Sequence, residues 1–186
     1  MMAGCQGNND NSLENYSDGL VLAQDTTEFV DTLNSETRLL VERGIVLERV
    51  KSIFGVVKAE YMSRGGVVTN DMFDRNYCSK SWNDLLMAVR AKENATCTLF
   101  FEIDHWSLSR EPGFVTFDEF EVTSIALEPQ KFASVTFTVY DAESYTPGRL
   151  DLVYENGRWV IDNFYDFKYR LNVRQSMYDY LDSDLI

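Results

Sequence analysis

Between residues 148 and 167, apolar and polar positions alternate with a period of two on both sides of Asn156-Gly157. Asn-Gly supplies the two positive-φ residues of a type I′ turn, the strongest short-range signal for a β-hairpin. A two-residue loop fixes the register. It sets Tyr154 opposite Trp159, Leu152 opposite Ile161 and Leu150 opposite Asn163 on one face. Glu155 then meets Arg158, Val153 meets Val160 and Asp151 meets Asp162 on the other. The first face is aromatic and aliphatic and requires a cover. Residues 131–140 alternate as cleanly, with Ala133, Val135, Phe137 and Val139 inward and Ser134, Thr136 and Thr138 outward. Residues 114–128 read as a long strand, bent or bulged around Asp118-Glu119. Residues 96–103 are mixed, a short strand or a loop, and Tyr145-Thr146-Pro147-Gly148 reads as the turn before the hairpin.

Elsewhere the period is 3.6. From about residue 36 to 64, Leu39, Leu40, Val46, Leu47, Val50, Ile53, Phe54, Val57 and Tyr61 recur at helical spacing, with charged residues on the other side. Gly44 and Gly55 each weaken such a helix by about 1 kcal/mol relative to Ala, so a break near Gly44 is expected, and Gly65-Gly66 ends it. Asp25-Thr26-Thr27-Glu28 has capping-box form and starts a short helix through Leu33. Asn70 caps a short helix over 71–76, and Ser79 or Ser81 caps a longer one over about 80–93 that buries Trp82, Leu85, Leu86 and Val89. The tail, 171–185, is again helical and buries Val173, Met177 and Leu181. Helices followed by a run of antiparallel strands predict an α+β fold, a curved antiparallel sheet wrapped around N-terminal helices, with a C-terminal helix. Residues 1–24 read as an acidic tether and 25–186 as one domain.

The order of these patterns carries a resemblance. Val50-x-x-Ile53-Phe54-x-x-Val57-x-x-x-Tyr61, Tyr77-x-Ser79-x-x-Trp82, Ala133-x-Val135-x-Phe137 and Gly157-Arg158-Trp159-x-Ile161-Asp162-Asn163 resemble the nuclear-transport-factor-2-like superfamily. Within it they are most similar to a domain-of-unknown-function branch of bacterial lipoproteins, over about residues 40–185. The resemblance implies a cone-shaped sheet whose concave side, roofed by helices, forms a pocket. Candidates to line it are Tyr61, Trp82, Tyr154, Trp159, Ile161 and Asn163. No single function follows, because this fold hosts isomerases, dehydratases, transport adaptors and modules without activity.

Composition narrows the field. The 186 residues are 45% hydrophobic and 13% aromatic, as a globular chain requires, and no run of 18 apolar residues proposes a membrane span. A net charge of −13 argues against nucleic acid as a partner, since phosphate binding needs a basic surface. No Lys or Arg precedes Arg38, whereas Asp10, Glu14, Asp18, Asp25, Glu28, Asp31 and Glu36 do. That stretch is either a solvated leader or an acidic binding tail. Ala3-Gly4-Cys5 followed by polar residues looks like the end of a bacterial lipoprotein signal, with Cys5 as the acylated residue. The alternative is an ordinary start with a free thiol. The lipoprotein reading expects a chain that begins just before its lipid-bearing residue and is anchored to a membrane of the bacterial envelope, periplasmic or surface-facing. Cys78 and Cys97 are too few for a disulfide framework and lack metal-site spacing; a single bridge competes with the favoured reading, two buried thiols.

Candidate chemistry is sparse. The resemblance implies proton transfer inside the cone by an Asp or a His-Asp pair, with Tyr or Asp donors polarising a carbonyl. The chain offers Asp104-His105-Trp106, Asp162, Asn163, Tyr61, Tyr140 and Tyr154. His105 is the only histidine. In an extended segment it would point away from its neighbour Asp104, so no dyad forms, and a surface or capping role is expected. Asp151 opposite Asp162 sets like charges across two strands, which destabilises. Arg149 on the diagonal, a bound cation or a raised carboxyl pKa would compensate. Gly-x-Ser-x-Gly, a zinc set and a Gly-rich phosphate loop are all absent from the sequence. No catalytic residue, cofactor or metal is assigned.

Three functional classes remain. The first is a lipid-anchored envelope module that binds a small apolar ligand in the cone. The second is an immunity- or inhibitor-type protein that binds another protein through its acidic surface. The third, an isomerase or dehydratase, needs Asp162, Asp104 or His105 to line a closed pocket. The resemblance also implies a homodimer through the outer sheet face, here polar at Ser134, Thr136 and Thr138 between Phe132 and Tyr140.

Overall fold

The apolar stripe of residues 46–61 folds as one unbroken helix, α1 (Ser35–Ser63), in the computed structural model of the chain. The structure describes residues 34–63, 71–100, 104–108, 119–140 and 145–183. The chain divides into two units, Met1–Arg38 and Leu39–Ile186, and the fold below is that of the second. Cys5, the tether, the helix expected over 25–33 and Gly65-Gly66 all lie outside the described residues.

Helix α1 buries Val46, Val50, Ile53, Phe54, Val57 and Tyr61, the stripe read from the sequence. The expected break at Gly44 does not occur. Gly44 lies on the exposed side, and packing of the stripe outweighs its weak helix propensity. Helix α2 (Asp71–Tyr77) is followed by α3 (Lys80–Thr96). Ser79 starts α3 in extended conformation, its Oγ accepting from Trp82 N at 2.9 Å. Helix α3 runs beyond the predicted end, and Cys97 closes it at φ 55°.

Strands β1 (Glu119–Glu128), β2 (Phe132–Tyr140), β3 (Tyr145–Glu155), β4 (Arg158–Asp166) and β5 (Leu171–Asn172) form an antiparallel sheet in the order β1-β2-β3-β4-β5. Helix α4 (Val173–Asp182) is shorter than expected because Leu171 and Asn172 pair with the end of β4. Asn172 then caps it, Oδ1 accepting from Gln175 N at 3.1 Å. The described residues are therefore α+β, four helices and an open five-stranded antiparallel sheet.

Strand β1 carries a bulge between Val122 and Ser124, while residue 118 of the bend expected at Asp118-Glu119 lies outside the described residues. Two local expectations change. Tyr145-Thr146-Pro147-Gly148 is no turn but the start of β3, with Tyr145 paired to Tyr140 and Gly148 to Phe137. Gly148 serves close packing there. A Cβ would stand 2.6 Å from Leu108 Cδ1 and 2.8 Å from both Phe137 Cζ and the Tyr165 carbonyl.

The second change is in the hairpin. Asn156 (φ 51°) and Gly157 (φ 79°) form the turn, and the predicted register holds from Glu155–Arg158 to Leu152–Ile161. A bulge then shifts it, so that Asp151 faces Asn163 and Leu150 faces Phe164. The expected Leu150–Asn163 and Asp151–Asp162 pairs do not form. The cause is Phe164, fully buried with its ring 5.1 Å from Trp82 and 5.0 Å from Trp106. Asp162, as the extra residue, lets Phe164 face the core with Trp159 and Ile161.

Aromatic side chains fill the space between sheet and helices. Phe54 stacks on Phe120 with ring centroids 4.0 Å apart and meets Phe137 at 5.6 Å, while half-buried Tyr154 meets Trp159 edge-on at 5.2 Å. On the outer face, Ala133, Val135, Phe137 and Val139 give way to half-buried Ser134 and Thr136 and buried Thr138.

Candidate functional site

Residues 104–108 curl into a turn instead of an extended segment. Asp104 drives it: Oδ1 accepts from Trp106 N at 3.0 Å and Oδ2 from Ser107 Oγ at 2.6 Å, the local bonding by which Asp favours turns. The turn sends both His105 and Trp106 into the core, where they are 3% and 0% exposed. The expected surface histidine is a buried one. Its Nε2 lies 2.8 Å from Oδ1 of Asp74 on α2, and Trp106 Nε1 donates to the same oxygen at 3.1 Å. Cys78 Sγ donates to that oxygen as well, at 3.6 Å. Tyr61, near the end of α1, donates its hydroxyl to Asp104 Oδ2. Asp104 and His105 each take a partner from another element.

The electrostatics follow from burial. Burial pulls the His105 pKa down, but the charge and hydrogen bond of Asp74, joined by Asp104, outweigh it, and the net shift is upward. Burial pushes the Tyr61 hydroxyl up, and the Asp104 charge adds to it. The Cys78 thiol is raised well above its ordinary value by burial and then by Asp74, so it stays protonated and is a poor nucleophile. The cluster ties α1, α2 and the 104–108 turn together. Cys97 is also a free thiol but is exposed, so the two cysteines are neither bridged nor both buried.

The two aspartates expected to face each other each have an arginine of their own. Arg149 Nε lies 3.1 Å from Asp151 Oδ1, its guanidinium 3.6 Å from the Tyr165 ring centroid. Asp162 accepts from Ser79 Oγ at 2.5 Å and pairs with Arg174 Nη1 of α4 at 2.7 Å. Arg174 also donates to the Asp162 carbonyl at 2.8 Å and to Ser81 Oγ. Asn163 Oδ1 accepts from Arg174 N at 3.1 Å, and its Nδ2 donates to Asn172 Oδ1 at 2.9 Å. These contacts fasten α3 and α4 to the bulge of β4.

Two open cavities are formed by described residues. A groove of about 510 Å³ lies between α2 and α3, lined by the apolar Leu86, Met87 and Ala91 together with Asp71, Arg75 and Arg90. A second, of about 340 Å³, lies where the start of α3 meets the β3–β4 turn, bordered by Arg75, Lys80, Glu155, Asn156, Arg158 and Val160. Arg75 and Asn83 border both. The interior candidates Tyr61, Trp82, Tyr154, Trp159, Ile161 and Asn163 line neither cavity, and nor do Asp104, His105, Arg149, Asp151 or Asp162. Of the buried cluster only Cys78 reaches one, the smaller.

Sequence reasoning missed Asp74, Arg75, Lys80 and Arg158. For Asp74 a signal exists, an acid beside Phe73 and one turn from Tyr77 and Cys78 on a short helix. The cationic trio comes from three separate elements and leaves no local trace.

Among the described residues, no three His, Cys, Asp or Glu side chains converge as metal ligands, and no helix is long and apolar enough to cross a membrane. No protein-family model, curated protein or solved structure that was compared matches the chain.

Proposed function

We propose that this chain is a non-catalytic binding module that takes a small, largely apolar ligand, held in the bacterial envelope by a lipid on Cys5. The observation that carries the binding role is the groove between α2 and α3. Its volume of about 510 Å³ falls within the usual range for small-molecule sites, and its lining includes the apolar Leu86, Met87 and Ala91. Met87 is 64% exposed, an unbranched apolar side chain presented to solvent at the mouth. The non-catalytic part rests on Asp104, engaged with Tyr61 and Ser107, and on His105, whose Nε2 is engaged with Asp74, both away from the two cavities. A proton-transfer role for the third class would need one of them to face a ligand. The envelope location rests on Ala3-Gly4-Cys5 and the polar stretch after it. The cone of the nuclear-transport-factor-2-like superfamily remains our reading of the architecture, supported by helices that precede a meander of antiparallel strands.

Native against denaturing mass spectrometry of the bacterially expressed chain tests the binding role. Extra mass that is lost on denaturation, and absent from Met87→Glu, supports the groove. Bare protein in both forms turns attention to the second class, a protein-capping module, to which the exposed side chains of Met62, Met72 and Met87 would then belong.

A further inference from the structure

In a chain of charge −13, the smaller cavity is cationic. Arg75, Lys80 and Arg158 border it against a single acid, Glu155. Among the described residues Arg75 and Arg158 form no ion pair, and that of Lys80, with Asp84 at 2.5 Å, lies at a strongly exposed side chain. A fourth cation stands behind. Arg49 of α1 donates Nε to the Trp159 carbonyl at 3.1 Å, half-buried. Burial and then the charge of Arg158 both lower its pKa. Like charges gathered in this way repel one another unless an anion sits among them.

The placement of Glu155 supports this. Its Oε2 accepts from Lys80 N at 3.2 Å, so a carboxylate already occupies the approach to the first turn of α3. Three cations border the cavity against Glu155, and with Lys80 also paired to Asp84 one positive charge remains in excess, which favours an anionic phosphate group. The guanidinium forks of Arg75 and Arg158 suit its oxygens, and Asn156 adds an amide at the rim.

The cationic cavity adjoins the apolar groove, since Arg75 and Asn83 border both. Asn83 is held in place as a divider, its Nδ2 donating to the carbonyls of Asp74 at 3.0 Å and Ser79 at 2.9 Å. We infer that the ligand is an amphiphile, its apolar body in the groove over Met87 and its phosphate group among Arg75, Lys80 and Arg158. This deepens the proposed function and rests on the groove being a binding site.

Calorimetric titration with three probes tests it: inorganic phosphate, short-chain phosphatidic acid below its micelle concentration, and the matched uncharged diacylglycerol. The full chain binds phosphatidic acid at least about tenfold more tightly than diacylglycerol, and Arg158→Gln removes that preference while keeping diacylglycerol affinity. Met87→Glu weakens both lipids. Because Arg158 and Met87 are exposed, thermal melts of these variants should match the parent. Equal affinity for the two lipids overturns the anion site and leaves the groove standing. Binding of neither lipid overturns the proposed function itself. Inorganic phosphate bound as tightly as phosphatidic acid overturns the amphiphile, because the groove would then contribute nothing.

Discussion

Asp74 Oδ1 and His105 Nε2 stand 2.8 Å apart inside the core, joined across 31 residues of sequence, with the carboxylate 1% and the imidazole 3% exposed. Two groups that prefer water are held here by each other, by Trp106 Nε1 and by the Asp104 turn. Their pairing makes stability depend on pH. The folded-state pKa of His105 is raised above its unfolded value of about 6.5. The stabilisation it brings is therefore fully present below about pH 6.5 and is lost as pH rises through the folded value. Asp74 and Asp104 face it as anions and Arg90 as the opposing cation. Urea denaturation of the parent and His105→Gln across this range should show the parent's advantage shrinking toward alkaline pH. A constant difference would mean that the imidazolium form contributes nothing.

Removing the acid is more severe. Asp74→Ala leaves His105, Trp106 and Cys78 without their shared acceptor in the core, and breaking a buried pair of this kind costs about 3–5 kcal/mol. Asp74→Asn keeps a carbonyl oxygen as acceptor and should lose less. Chemical denaturation at neutral pH separates the two.

Gly148 should not tolerate a methyl group. Two of the three atoms that a Cβ would meet belong to packed side chains, Leu108 and Phe137, and the third to the β4 backbone, so all must shift. Gly148→Ala is expected to lower stability by about 1–3 kcal/mol, as overpacked cores do, read from the denaturation midpoint.

Gly44 is the opposite case. A Cβ there meets nothing within 4 Å, and the helix is already continuous through it. Gly44→Ala should raise stability by about 1 kcal/mol. An unchanged melting temperature would show that this turn of α1 is not cooperative with the rest.

How much of this was legible depends on how local its cause was. The Asn156-Gly157 turn, the Ser79 cap and the α1 stripe are each set by residues within a few positions, and sequence spacing revealed them. The Asp162 bulge had a trace that went unread: Trp159 and Ile161 lie two apart, but the next core residue, Phe164, lies three further on. A gap of three in a period-two pattern marks an extra residue. Gly148 was misassigned because glycine signals turns and close packing alike, and only the Leu108 and Tyr165 neighbours decide which. His105 looked like a surface group because the segment was read as extended, whereas the Asp104 turn sends it inward. Its reason for burial, Asp74, lies on another helix. The cationic trio fails to show for the same cause.

The bulge in β4 has a consequence for how this fold could change length. Strand alternation normally forbids a single-residue insertion, since every side chain downstream would turn inside out. At Asp162 the ladder closes around the additional residue, and Ile161 and Asn163 still meet Leu152 and Asp151 on consecutive rungs. Deleting Asp162 would therefore leave the sheet in phase and Phe164 on its inner side, yet cut Ser79 and Arg174 loose from their shared carboxylate. The position acts as a removable rivet: the sheet closes without it, but the one carboxylate that Ser79 and Arg174 share goes with it.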